Sequence, residues 1–153
     1  MHHPDSDFKQ HTMTRIDFHT NIPDRLLYTC RLVRKARTAQ CQIVILTSSA
    51  GDLAALDQAL WTFSEHDFLP HVQAGDPLAA QTPIILTDNA SEDLPHHHVL
   101  INLSGNTPTH FARFERMFEI VSRDEIDKNN GRERYRFYQQ RGYPLSHTVA
   151  ANA

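Results

Sequence analysis

The order of apolar and polar positions divides the chain into short elements of two alternating periods. Thr14-Arg15-Ile16-Asp17-Phe18 alternates, with Ile16 and Phe18 on one side, and predicts a short strand. Pro23 marks a helix start, because proline fits the first turn. Leu26, Leu27, Cys30, Leu32 and Val33 then recur at three- and four-residue spacing, an amphipathic helix to about Ala39. Its other side carries Arg25, Arg31, Arg34, Lys35 and Arg37. Gln42-Ile43-Val44-Ile45-Leu46 is a continuous β-branched run suited to a strand buried on both faces. After the turn Ser48-Ser49-Ala50-Gly51-Asp52, a second helix sets Leu53, Leu56, Leu60 and Trp61 on one stripe.

Phe68-Leu69-Pro70-His71-Val72 reads as a short strand or extended segment, and Ala74-Gly75-Asp76-Pro77 turns the chain. Residues 83–86 and 98–103 predict two more strands on either side of a polar loop at 88–95. A short helix over 107–116 and a last strand over 117–121 follow. The final helix begins near Asp124 and ends at Gly142, a residue suited to the left-handed position just past a helix. Strands alternating with helices predict a single three-layer α/β/α domain. Its expected sheet has about five strands, mostly parallel or mixed, Rossmann-like but without a nucleotide-binding loop. The expected domain spans residues 13–146, with a polar leader over 1–12, Met13 as the natural start, and a flexible tail over 147–153.

Composition changes this picture little. A chain of 153 residues suits one domain with one real core. No apolar run reaches the roughly 20 residues of a membrane span, and the leader lacks the apolar core of a secretory signal. Two cysteines, Cys30 and Cys41, make no disulfide framework and fit a reducing, cytoplasmic setting. A net charge of −3 argues against a protein built wholly to hold nucleic acid, so any basic surface is a local patch.

Catalytic and metal chemistry is not legible. The five glycines, at 51, 75, 105, 131 and 142, form neither a G-x-G-x-x-G loop nor a Walker loop. Three consecutive histidines, His96, His97 and His98, alternate in direction at a strand edge and do not converge on one metal ion. His71, His110 and His147 have no carboxylate or cysteine at triad spacing, and Asp57 and Glu65 read as solvated helix charges. No cofactor and no metal are expected, and the chain is read as no enzyme. The alternative is an α/β enzyme acting on a phosphorylated small molecule or nucleotide, which the glycine count disfavours. Direct binding of single-stranded DNA by the basic helices is a third reading, disfavoured by the acidic total charge.

The last helix is the informative one. At about 100° per residue, Lys128, Arg132 and Arg136 stack at successive i, i+4 spacings with Tyr135 beside Arg132. Ile126 and Phe137 point elsewhere as core contacts, and Arg134 projects toward that second arc as a paired structural arginine. Three cations around a ring make a receiver for an anion with an apolar part, since guanidinium forks suit carboxylate and phosphate and a ring supplies a wall. Taken alone, this pattern does not separate an acidic peptide from nucleic acid.

Leu56-Asp57-Gln58-Ala59-Leu60-Trp61, Phe68-Leu69-Pro70-His71 and Ala74-Gly75, followed by Arg132-Glu133-Arg134-Tyr135 and Tyr138, stand in an order that resembles the chi subunit family of bacterial DNA polymerase III. The resemblance runs from about Met13 to Ser146. It implies a non-catalytic adaptor in DNA replication that pairs with the psi subunit of the clamp-loader complex. It also implies binding to the acidic, phenylalanine-ending tail of the single-stranded DNA-binding protein, with DNA contacted only indirectly and no membrane. The family's tail site falls on Lys128, Arg132, Tyr135 and Arg136, the last an arginine where a lysine is familiar. Phe68 is expected to line the hydrophobic pocket and Val121 to flank it. No motif marks the psi contacts.

Overall fold

The computed structural model describes residues 13–63 and 68–151; the leader, Glu65 and the last two residues lie outside them. Among the described residues, seven strands form one all-parallel sheet in the order β3-β4-β2-β5-β6-β1-β7. They are β1 (Arg15–Ile22), β2 (Ile43–Leu46), β3 (His71–Gln73), β4 (Ile84–Thr87), β5 (Val99–Asn102), β6 (Arg116–Ser122) and β7 (Leu145–Val149). Helices α1 (Arg25–Thr38), α2 (Ala50–Phe63) and α3 (Glu125–Gln140) complete the three-layer α/β domain.

Strand alternation assigns each side chain to a layer. Ile43, Ile45, Ile84, Leu86, Val99, Ile101, Phe118 and Ile120 face α1 and α2, meeting Cys30, Val33, Leu53, Leu56 and Leu60. Ile16, Phe18, Val44, Ile85, Leu100, Met117 and Val121 face the other way, toward Tyr138 of α3 and toward Phe111 and Phe114 in the segment before β6. The strands β2, β4 and β5 are buried throughout; for β2 the unbroken apolar run ending at Leu46 predicts this. β1 changes parity: Asn21 adopts a positive φ of 62° and the pairing with β6 shifts register between His19 and Ile22. Ile16 and Phe18 therefore face α3, whereas Ile22 joins the opposite core.

Several expectations need correction. The sheet has seven strands, not about five. Residues 107–116 form only a 3-10 turn at Phe111–Arg113 before β6 begins. Where a polar tail was expected from residue 147, β7 pairs with β1 through Val149. Its side chains are nearly all exposed, so the apolar alternation that reveals a half-buried strand is missing. Trp61 is 57% exposed rather than part of the core stripe of α2, and rests against the His71 ring at 4.8 Å. Asp57 is not simply solvated. Its Oδ1 lies 3.1 Å from Nε2 of buried His71, an electrostatic contact off the hydrogen-bond direction, while His71 Nδ1 engages the Leu69 carbonyl at 2.8 Å.

Asp17 on β1 ties its strand to both neighbours in the sheet. Its carboxylate accepts from Ser146 Oγ on β7 and from Arg116 Nε on β6. Burial works to raise its pKa, but the Ser146 hydrogen bond and the Arg116 charge outweigh it and hold the carboxyl below the usual 3.8. A depressed pKa contributes stability that is present above the unfolded value and lost as pH falls through the folded one. Asp17→Asn should therefore lower stability by about 1–2 kcal/mol at neutral pH, measured by urea denaturation. The gap to wild type should close in strong acid; a gap that persists there contradicts the anchoring role of the carboxylate.

Candidate functional site

The position of α3 is set by four contacts along one stripe. Asp124 caps the helix by accepting from the Asp127 amide at 3.1 Å, and Asp127 Oδ2 accepts from the Ser122 amide at 2.7 Å, which fixes the turn out of β6. One turn on, Gly131 lets the helix backbone lie against Val121. A Cβ added there would stand 3.0 Å from Val121 Cγ2 and 3.2 Å from Cγ1. Mid-helix glycine costs about 1 kcal/mol relative to alanine, and here it permits that close approach.

Next comes a buried polar cluster. Glu119, fully buried in the centre of β6, accepts from Arg134 Nε at 3.1 Å, Tyr138 Oη at 2.6 Å and Asn102 Nδ2 at 3.0 Å. Arg134 Nη2 lies 3.1 Å from the second carboxylate oxygen, and Nη1 donates to the Gly105 carbonyl at 2.8 Å. Burial raises the Glu119 carboxyl above its ordinary range, against the opposing pull of Arg134, Tyr138 and Asn102. Burial and the adjacent Glu119 charge push the Tyr138 hydroxyl well above its own. Every polar atom of the carboxylate is engaged, the condition under which a buried charge is tolerated.

With that stripe turned inward, the neighbouring arc of α3 overhangs the carboxyl ends of β6, β1 and β7. Between them lies a cavity of about 530 Å³ lined by Phe18, Thr20, Asn21, Val121, Lys128, Gly131, Arg132, Tyr135, Arg136 and His147. Phe18 and Val121, both buried, are apolar lining; the Tyr135 ring meets Phe18 edge-on at 5.1 Å. Thr20 Oγ1 and His147 Nε2 lie 2.7 Å apart on β1 and β7.

The cations of this cavity are little used by the protein itself. Lys128 makes an exposed pair with Glu125 at 3.2 Å, of the kind worth under about 1 kcal/mol. Arg132 donates only to the neutral Asn129 amide at 3.1 Å, and Arg136 has no carboxylate partner among the described residues. Among the described residues, no aspartate or glutamate lines the cavity. The arrangement suits an anion whose apolar part enters beside Phe18, Val121 and Tyr135, and the volume is that of a small-ligand or side-chain pocket.

Five of the six residues singled out from the sequence meet here: Lys128, Arg132, Tyr135, Arg136 and Val121. Phe68 does not. It is 82% exposed, just ahead of β3, at the edge of the sheet opposite β7. The aromatic wall comes from Phe18 instead, brought in by the β1–β6 pairing. Arg134 is the paired arginine expected, but Ile126 is 72% exposed and no core contact. Phe18, Thr20 and His147 escaped sequence reasoning because their proximity to α3 depends on pairings across more than a hundred residues; the alternation of Ile16 and Phe18 was the sole local signal. The histidine run diverges: His96 is buried on the Thr82 carbonyl, His97 is exposed, and His98 Nδ1 accepts from the Gln42 amide.

A sequence profile described as DNA polymerase III chi subunit, HolC, matches residues 13–146. The chain belongs to this family. The chi-family proteins similar to it include DNA polymerase III subunit chi of Pseudomonas aeruginosa, 32% identical over 87% of this chain and 94% of the relative. The subunit chi of Haemophilus influenzae is 26% identical over 76% of this chain and 81% of its own length, and that of Escherichia coli 22% over 76% and 80%. The chi-family match ends at Ser146, one residue before His147 reaches the cavity.

Removing Arg134 leaves the Glu119 carboxylate buried without its counter-charge, which costs about 3–5 kcal/mol. Arg134→Met is expected to lose that much stability near neutral pH by thermal or urea unfolding. Glu119 already has a raised pKa, so the folded variant binds a proton the unfolded chain releases, and its stability deficit should shrink as pH falls toward about 5. A deficit independent of pH would mean that lost packing, not the stranded charge, dominates.

Proposed function

We propose that this chain is a non-catalytic adaptor of the bacterial DNA polymerase III holoenzyme in DNA replication. In this reading the cavity under α3 takes the acidic, phenylalanine-ending tail of the single-stranded DNA-binding protein. A separate surface pairs with the psi subunit and so joins the clamp loader, and DNA is contacted only through the partner. The setting is the cytoplasm; among the described residues, no helix is long and apolar enough to cross a membrane.

The observation that carries the reading is the coincidence of Lys128, Arg132 and Arg136 with Phe18, Val121 and Tyr135 in one cavity that no carboxylate lines among the described residues. A terminal carboxylate and neighbouring aspartates fit the guanidinium forks, while a terminal phenylalanine ring fits against Phe18, Val121 and Tyr135. Each charge-assisted hydrogen bond contributes about 1.5–3 kcal/mol and burial of the ring a similar amount. Ordering the tail offsets part of this, so the expected affinity is roughly micromolar, near −8 kcal/mol, and weakens with salt.

The test titrates a labelled tail peptide, with a free or an amidated C-terminus, into wild type and Arg132→Ala. Either change should weaken binding about tenfold or more, and Phe68→Ala, remote from the cavity, should not. Equal binding in all combinations of peptide and Arg132 variant would sink the reading.

A further inference from the structure

The wall of the cavity built by β7 holds one titratable side chain that the reading above leaves unused, His147. In the pairing of β7 with β1, His147 stands opposite Phe18, so it shares with Phe18 and Thr20 the strand face turned toward α3. It is solvent-exposed. Nε2 lies 2.7 Å from Thr20 Oγ1, the ring centroid stands 6.3 Å from that of Tyr135, and Nδ1 has no hydrogen-bond partner among the described residues.

The charges around this imidazole come from three directions. From α3 it faces Lys128, Arg132, Arg136 and the Tyr135 phenol. From the turn before α3, Arg123 reaches over to the Asn21 carbonyl at 3.4 Å. On β1, Asp17 and His19 occupy the opposite strand face, Asp17 engaged with Arg116 and Ser146, and His19 with Tyr28. Among the described residues, the side chains that line the cavity thus include four able to carry positive charge and no carboxylate.

We infer that His147 is a further contact of the acidic-peptide site and makes it proton-dependent: as imidazolium it donates to a carboxylate of the bound peptide. This rests on the proposed reading of the cavity. A neutral imidazole has one donor and one acceptor nitrogen, whereas the imidazolium donates from both. In the charged form Nε2–H donates to Thr20 Oγ1, which leaves the threonine hydroxyl hydrogen and Nδ1–H both available to peptide oxygens. The proton comes from solvent, so binding takes it up and tightens as pH falls. Imidazole is the side chain that ordinarily titrates between about pH 5 and 8, and a nearby carboxylate favours its charged form. The peptide's own carboxylates are ionised throughout that range.

The experiment measures the affinity of the free-carboxylate acidic peptide at about pH 8 and about pH 5.5 for wild type, His147→Gln and His147→Lys. Wild type should bind roughly three- to tenfold more tightly at the lower pH, where the imidazole adds a charged donor to the site. In both variants the ratio between the two pH values should fall close to one, because neither glutamine nor lysine titrates there. Calorimetry in buffers of differing ionisation enthalpy should show proton uptake on binding in wild type and its loss in His147→Gln. The same pH ratio in wild type and His147→Gln, with peptide still bound through Arg132, overturns the role of His147 and leaves the site standing. No binding by wild type at either pH overturns both.

Discussion

The carboxylate of Glu119 in the middle of a buried parallel sheet is the constraint around which the α3 half of the molecule is arranged. An ionised group at that depth is tolerated only with its lone pairs occupied. Arg134, Tyr138 and Asn102 occupy them, two of the three from a single helix. Such a cluster is a weak source of net stability, since an apolar replacement of equal volume often does as well. What it imposes here is rotation. α3 meets its partners in one setting only, with Gly131, Arg134 and Tyr138 inward, and at about 100° per residue this brings Lys128, Tyr135, Arg132 and Arg136 onto the next arc. The outward chemistry of the helix follows from an inward pairing made one turn away.

The same logic separates arginines that sequence alone treats as equivalent. Arg134 and Arg136 are two residues apart, yet one is buried against a carboxylate and the other overhangs a cavity without one. A guanidinium opposite a fixed carboxylate is already satisfied and has little left to offer a ligand. One held over apolar residues beside other cations raises the local positive potential, and an anion that enters relieves it. With a net charge of −3 over the chain, that potential is a property of this arc and not of the protein as a whole.

How much of this was legible depended on whether the signal was local. The helical periods of residues 26–33 and 53–60 and the β-branched runs at 43–46 and 84–86 carry their own geometry, and they became α1, α2, β2 and β4. The arc of α3 was legible for the same reason. β7 was not: an exposed edge strand with no apolar alternation looks like any polar tail, and only its pairing with β1, about 130 positions earlier in the chain, makes it a strand. Trp61, Ile126 and Phe68 failed in the opposite direction. Each is large and apolar, and each is exposed, because helical phase or a borrowed motif tells which side a residue shares with its neighbours but not whether anything covers that side. Phe18 took the place expected of Phe68 through β-pairing, which leaves no mark in local spacing.

The strand pair β1–β7 shows why the site and the fold are hard to alter independently. Alternation puts Asp17 and Ser146 on one face, where they join the strands, and Phe18, Thr20 and His147 on the other, where they wall the cavity. The bulge at Asn21 then ends this alternation, returning Ile22 to the α1–α2 core just beyond the last cavity residue of β1. A one-residue slip of β7 against β1 would turn His147 away from the cavity and Ser146 away from Asp17 together. The polar bond on the structural face therefore holds the register on which the cavity-facing side depends, much as Glu119 holds the rotation of α3. Both walls of the cavity are positioned by a buried or half-buried carboxylate that the cavity itself does not contain.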